Sequence, residues 1–398
     1  MKIEQEHIDF VRAGFASVKT LPDLVSLLNY GKTHVYGKDC KPFELKQITY
    51  YANPEISKSR YRSFSIKKKS GKERLINAPV PGLKAILRSL NFLIQCVHVP
   101  HKAATGFVLG TSIVDNAKIH AGSTYVYNID LKDFFHAFDR NKVKLGFMRA
   151  PFSLSKEREP IAFVLACLCT HPFLVEGEMQ IVLPQGSPTS PTITNVLCES
   201  LDRRLAGLAK RFGAKYSRYA DDITFSANHN IYVKSEFIDE LHRIIEEDQN
   251  LEVNKSKTRL QKVGYRQEVT GLVVNEKVNV RRRYVKQIRM WLYYWEKYGY
   301  QHAQELFEKD YKQDKGHVKK GGPSLMNVVD GKLEFLKMVK GFEDSTYKVL
   351  HGRFTSLQVV KAEKAKDRVD LNAVVNAIIN KGLDEGIALY DKFKKQPE

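Results

Sequence analysis

Tyr219-Ala220-Asp221-Asp222 sets two carboxylates side by side, and Asn128-Ile129-Asp130 sets a third at the end of an apolar run. Adjacent aspartates repel, so enclosing them together without a cation is costly or forces a proton onto one of them. They therefore either face water in an exposed turn or hold a metal. Hard divalent cations such as Mg2+ take carboxylate oxygens. Two-metal phosphoryl transfer needs carboxylates from separate elements to hold two ions roughly 3.5–4 Å apart, one activating a hydroxyl and the other carrying a triphosphate. Asp130, Asp221 and Asp222 supply such a set.

This arrangement resembles the palm of the reverse transcriptases, whose first aspartate and Y-x-D-D pair bind both metals. Leu183-Pro184-Gln185-Gly186-Ser187-Pro188-Thr189-Ser190-Pro191 matches the family's L-P-Q-G-x-x-x-S-P segment. As chemistry, Gln185 offers an amide to an incoming nucleotide and Gly186 allows close approach of the backbone. The resemblance implies that Phe135, five positions after Asp130, packs against the sugar and disfavours a 2′-hydroxyl, so that DNA is the product. It also implies that Ile66-Lys67-Lys68-Lys69 and Arg74 form a fingers hairpin that clamps the triphosphate, with Lys68 and Arg74 the preferred pair. Within Leu251-Glu252-Val253-Asn254-Lys255-Ser256-Lys257-Thr258, a lysine would protonate departing pyrophosphate, Lys257 first and Lys255 second.

Asn116-Ala117-Lys118-Ile119-His120 and Val269-Thr270-Gly271 match the N-A-x-x-H and V-T-G elements and narrow the resemblance to the retron reverse transcriptases. Taken alone, Asn116 and His120 stand one helical turn apart, where they can form a polar contact, and Thr270-Gly271 can start a hairpin. Within the family all four are candidate nucleic-acid contacts. The likeness extends over residues 60–360. It implies two Mg2+ ions per site, dNTP substrates and a cognate structured noncoding RNA. It further implies synthesis from a 2′-hydroxyl of that RNA, a branched RNA–DNA product (multicopy single-stranded DNA), and a role in antiphage defence beside a separate effector protein.

Those residues need a scaffold and a nucleic-acid surface, and the chain provides for both. Lys plus Arg exceed Asp plus Glu by 64 − 45 = 19, a surplus that suits a polyanionic partner held through phosphates. Residues 1–55 show helical spacing, including Leu21, Leu24, Leu27 and Leu28 after Thr20. The patterns that follow predict a basic hairpin over 61–78, an amphipathic helix over 83–98, a strand over 122–130 and a buried helix over 156–172. Ser190-Pro191 should cap a helix carrying Ile193, Val196, Leu197, Leu201, Leu205 and Leu208. A hairpin over 215–226 should have Ala220-Asp221 at its tip, a helix should span 234–247, and a second hairpin over 271–280 should turn at Asn275-Glu276-Lys277.

Strands and helices mix without strict alternation, which predicts an α+β fold. By resemblance it is a right-hand polymerase with fingers, a palm of antiparallel sheet plus helices, and a helical thumb. The expected organisation is an N-terminal helical region (1–55), fingers and palm (56–280), an RNA-binding thumb (281–361) and a helical tail (362–398). In the thumb, Arg282, Lys286 and Arg289, with Arg281 and Arg283, lie opposite Val285, Ile288, Trp291, Leu292 and Trp295, so one side can pack while the other meets phosphates. Five cysteines without ligand spacing, no span-length apolar run and no leader-like start predict a reduced, cytoplasmic protein without membrane contact. Another bacterial reverse transcriptase, of group II intron or defence-associated type, and a noncatalytic RNA-binding scaffold are the competing readings.

Overall fold

A computed structural model describes residues 3–67, 71, 73–175, 177–315, 322–366 and 371–394. Helices and antiparallel sheets are mixed along the chain, as in the α+β class, and two compact units form, Met1–Lys277 and Val278–Glu398.

The first unit opens with α1 (Gln5–Ser17), α2 (Leu21–Tyr36) and α3 (Leu45–Ala52). Thr20 starts α2 with a reciprocal cap: Asp23 N–H donates to the threonine hydroxyl, and Thr20 N–H donates to the Asp23 carboxylate. A basic hairpin follows, β1 (Tyr61–Lys67) with β2 (Glu73–Pro79), and then α4 (Pro81–Val97). One face of α4 buries Leu83, Ile86, Leu87, Leu90, Leu93, Ile94 and Val97. Val11 and Phe15 of α1 and Leu24 and Leu28 of α2 join the same core, so residues 1–55 have no separate one.

α5 (Ile113–His120) leads into β3 (Tyr125–Asp130), and α6 (Arg140–Met148) and α7 (Glu159–Cys169) precede the hairpin of β4 (His171–Val175) and β5 (Glu178–Val182). Next come α8 (Ser190–Leu197), α9 (Glu199–Arg211), β6 (Lys215–Tyr219), β7 (Asp222–Ala227), α10 (Ser235–His242) and β8 (Arg259–Lys262). The site rests on an antiparallel sheet in the order β6-β7-β3-β8. Ile129, Ile223 and Phe225 of that sheet bury into the core shared with α4, α7 and α9.

The short hairpin β9 (Glu268–Val269) with β10 (Leu272–Val273) closes the unit. The second unit holds α11 (Arg282–Lys315), which changes direction at Gly299, then α12 (Leu325–Lys340), α13 (Ser345–Lys366), α14 (Leu371–Lys381) and α15 (Leu383–Lys394). Ile288, Trp291, Leu292 and Trp295 are buried in it with Leu333, Leu336 and Phe354.

Several expected boundaries move for local reasons. The second hairpin turns at Thr270-Gly271, whose φ angles of +47 and +82 suit a tight primed turn, and not at Asn275-Glu276-Lys277. Asn275 is used otherwise: its side chain accepts from Gln267 N–H and donates to the Tyr265 carbonyl, pinning the loop between β8 and β9. The 156–172 helix is shorter, because it ends at Cys169 and β4 begins at His171, and the 234–247 helix ends α-helically at His242 and continues as a π turn. Ser190 is the first residue of its helix and not the cap; its hydroxyl donates back to the Pro184 carbonyl.

Candidate active site

Backbone pairing brings the three carboxylates to one end of the sheet. β3 and β7 run antiparallel with Asp130 directly opposite Asp222, and β6 and β7 are joined by the two-residue turn Ala220-Asp221. Leu131 N–H donates to the Asp221 carbonyl at 3.1 Å, tying the turn to the end of β3. Partial enclosure, reinforced by Asp130, raises the pKa of Asp221, while Lys257 and Arg74 oppose the rise. Asp222 is pushed up to about 6 by enclosure first and then by Asp221 and Asp130, although one side of the residue stays open to solvent. Both shifts mark carboxylates held partly away from water and beside one another, a burden that a cation relieves.

A cation of the chain already sits there. Lys257 Nζ lies 2.8 and 2.9 Å from the two oxygens of Asp130, and Asn254 Nδ2 donates to the same carboxylate at 3.1 Å. With Asp130 so engaged, no three acidic, histidine or cysteine side chains among the described residues converge as a ready-made metal shell. The donor chemistry nevertheless fits Mg2+: hard oxygens from opposed strand ends, with raised proton affinity and an exchangeable ammonium in place of the ion.

The Leu183–Pro191 loop docks on the fingers hairpin. Asn77 N–H of β2 donates to the Gln185 carbonyl at 2.8 Å, and Gly186 has φ +121. A Cβ at Gly186 would stand 2.7 Å from the Asn77 carbonyl oxygen, so both conformation and space demand glycine here. Arg74 is exposed on β2 opposite Ile66, and its charge reaches Asp221; Lys68 lies outside the described residues. Phe135 is half-buried, its ring 6.4 Å from that of Phe107. The thumb cations Arg282, Lys286 and Arg289 are exposed on α11, while Ile288, Trp291, Leu292 and Trp295 of the same helix are buried.

Two expected nucleic-acid contacts are internal instead. Asn116 is 1% exposed and His120 0%. The Asn116 side-chain carbonyl accepts from Thr105 at 2.8 Å and Ser217 at 2.6 Å, and His120 bridges Ser217 at 2.7 Å and Ser226 at 2.8 Å. Since the Ser217 hydroxyl proton goes to Asn116, His120 donates from Nε2 to Ser217 and accepts at Nδ1 from Ser226. Enclosure, with Lys215 adding to it, depresses the His120 pKa to about 3, so the ring is neutral. Both residues clamp α5 to the back of the β6–β7 hairpin. Thr270 and Gly271 form an accessible turn, and the Thr270 hydroxyl donates to the Ile113 carbonyl at the start of α5.

The deepest support of the turn carries no motif. Arg218 and Asp202, each with a fully buried side chain, pair at 2.6 Å; Tyr216 donates to Asp202 at 2.7 Å, and Arg218 also reaches Asn195 at 3.1 Å and the Ala220 carbonyl at 3.2 Å. Gly106 abuts the other side, where a Cβ would fall 2.5 Å from Ala220 N. The signals available in sequence were an arginine inside an apolar strand and an aspartate on the packed side of α9, but neither names its partner.

Residues 66–274 match the family model of reverse transcriptases, described as RNA-dependent DNA polymerases. The chain is 39% identical over 237 residues to the retron Mx162 reverse transcriptase of Myxococcus xanthus, covering 54% of this chain and 47% of that one, so it spans about half the length of that relative. It is 32% identical over 335 residues to the retron Mx65 reverse transcriptase of the same organism, covering 80% and 72%. The retron Ec86 reverse transcriptase of Escherichia coli is 36% identical over 243 residues, covering 58% and 68%.

Proposed function

This chain belongs to the retron reverse transcriptases, RNA-directed DNA polymerases, and from that premise we propose that it copies part of a cognate structured noncoding RNA into DNA. Synthesis starts from a 2′-hydroxyl of that RNA and leaves a branched RNA–DNA, the multicopy single-stranded DNA. The observation that carries the reading is the meeting of Asp130, Asp221 and Asp222 at opposed strand ends, with a lysine balancing their charge. We further propose that the enzyme acts in the cytoplasm, in antiphage defence beside a separate effector protein. No helix among the described residues is long and apolar enough to cross a membrane.

Mg2+ held by Asp130, Asp221 and Asp222 supplies charge neutralisation of the triphosphate and a lowered pKa for the attacking hydroxyl. The chain's own groups do the rest. All three carboxylates must be deprotonated to bind metal, and the raised pKa of Asp222 makes protons compete with the ion there. Lys257, which bonds Asp130 in the metal-free site, would carry a proton to the departing pyrophosphate once released. Arg74 and Lys68 balance the charge of the triphosphate, and Gln185 and Gly186 line the nucleotide's path. Phe135 fills the space a 2′-hydroxyl would need. Arg282, Lys286 and Arg289 hold RNA phosphates, and Thr270-Gly271 offers a second, accessible contact.

The test is to express the protein with its native flanking DNA, purify it, extract bound nucleic acid, and treat it with RNase, DNase and debranching enzyme. A discrete single-stranded DNA joined to RNA through a branch is expected. DNA synthesis on an added primed RNA, without any such copurifying species, would overturn the 2′-primed reading.

A further inference from the structure

Phe107 is a non-glycine residue in the left-handed region, with φ +62, and Ala220 in the catalytic turn is another, with φ +58. Such conformations persist where surrounding structure over-determines them, and they gather at active sites and ligand clamps. Here the determinants are explicit. Thr105 N–H donates to the Arg218 carbonyl and Arg218 N–H to the Ala103 carbonyl, both at 2.8 Å, so the 103–107 loop pairs along the outer edge of β6. Asn195 Nδ2 donates to the Gly106 carbonyl at 2.9 Å, and Gly106 packs backbone to backbone on Ala220. Leaving that contact, the chain turns and sets the Phe107 ring between Phe135 and Tyr219, at 6.4 and 6.3 Å between ring centres.

Phe107 is 38% exposed. A core phenylalanine would be covered, and a surface one would not be held by a strained backbone locked to the catalytic turn. Phe107 and Tyr219 stand on the β6 flank of the sheet, with Phe135, from the segment after β3, against the Phe107 ring. The opposite flank, beyond β3, carries the Asn254–Lys257 segment bonded to Asp130. A duplex crossing the site lays one strand over each flank. On the polymerase reading the primer hydroxyl goes to Asp130, which would leave the β6 flank to the template.

We infer that Phe107 is a substrate-positioning residue, its ring carrying the ribose edge of the template nucleotide in the base pair formed at the active site. This rests on the polymerase reading above. The test uses the full-length chain on a primed RNA oligonucleotide, measuring single-nucleotide incorporation in the burst phase and extension of mismatched primer ends. Phe107→Ala should lower incorporation efficiency per active site by about tenfold or more, the scale on which misplacing a reacting group acts. It should also narrow the gap between matched and mismatched ends, while Phe107→Tyr, which keeps the ring, stays near wild type.

Wild-type constants in Phe107→Ala would overturn the inference. If that variant instead loses burst amplitude, Phe107→Leu decides: a normal rate per active site overturns the inference and a reduced one supports it. A wild-type chain that incorporates nothing withdraws the polymerase reading and this inference with it, whereas an active enzyme indifferent to Phe107 withdraws this inference alone.

Discussion

Replacing Asp202 by asparagine keeps the shape of the side chain and removes its charge, leaving the Arg218 guanidinium buried beside a group that can no longer balance it. In the native chain Asp202 takes Arg218 Nε at 2.7 Å, Arg218 Nη2 at 2.6 Å and the Tyr216 hydroxyl at 2.7 Å. In Asp202→Asn one oxygen remains for these three donors, and the new amide N–H points at one of them. Breaking a fully buried pair in this way costs about 3–5 kcal/mol. For a unit of this size that is a fall on the order of 10 °C in melting temperature. Arg218 also donates to the Ala220 carbonyl, so polymerase activity should fall even at temperatures where the protein stays folded. Asp202→Leu combined with Arg218→Met removes both charges and should recover much of the stability, because apolar replacement of a buried pair is often neutral or better. It should not recover activity, since the Ala220 carbonyl loses its donor. Thermal denaturation alongside RNA-templated incorporation per active site checks both halves. A melting point within about 2 °C of wild type for Asp202→Asn, or a fully active double variant, would refute the reasoning.

Other outcomes follow from single contacts. Gly186→Ala should cripple incorporation while leaving the melting point within a few degrees, because φ +121 and the 2.7 Å approach to Asn77 force the loop off the fingers hairpin; a kinetic assay with wild-type constants would contradict this. His120 is fully buried and its pKa is depressed to about 3. The unfolded chain takes up that proton first, so stability falls as pH drops below the ordinary histidine value and continues to fall toward pH 3. The loss at pH 5 is about 2 kcal/mol, and His120→Gln should lack this share of the pH dependence in denaturant titrations. Asp222, raised to about 6, works in the opposite sense: its protonation stabilises the metal-free fold at low pH, and the benefit is lost as pH rises through 6. Asp222→Asn should therefore raise the metal-free stability at neutral pH by about 1 kcal/mol once solvent screening is allowed for, read as a higher melting point, and should abolish the increment that Mg2+ gives wild type.

What could be read from the sequence divides by the range of the interaction. Asp130, Asp221 and Asp222 were legible because strand ends and a tight turn announce themselves locally, and pairing of β3 with β7 brings them together. Gly186 was legible as a glycine that needed room, though the carbonyl demanding it belongs to β2, more than a hundred residues away. Asn116 and His120 look like exposed polar groups on a short amphipathic helix. Their burial depends on Ser217 and Ser226, two hydroxyls spaced along strands, which no helical pattern foretells. Asn275-Glu276-Lys277 has the composition of a turn, but Asn275 spends its amide on the loop before β9, and the chain turns at Thr270-Gly271 instead. Arg218 with Asp202, and Phe107 with Phe135 and Tyr219, were invisible for the same reason: the members of each set come from separate elements, and only the sheet brings them together.

The most direct test of the account is RNA-templated incorporation of dNTPs by the purified chain, wild type against Asp221→Asn and Asp222→Asn, in Mg2+ on a primed RNA. Wild type should extend the primer, and each variant should lose activity by about a thousandfold or more, as expected when a carboxylate that places the metal charge is removed. Equal extension by wild type and either variant would contradict the assignment of these aspartates as the catalytic centre.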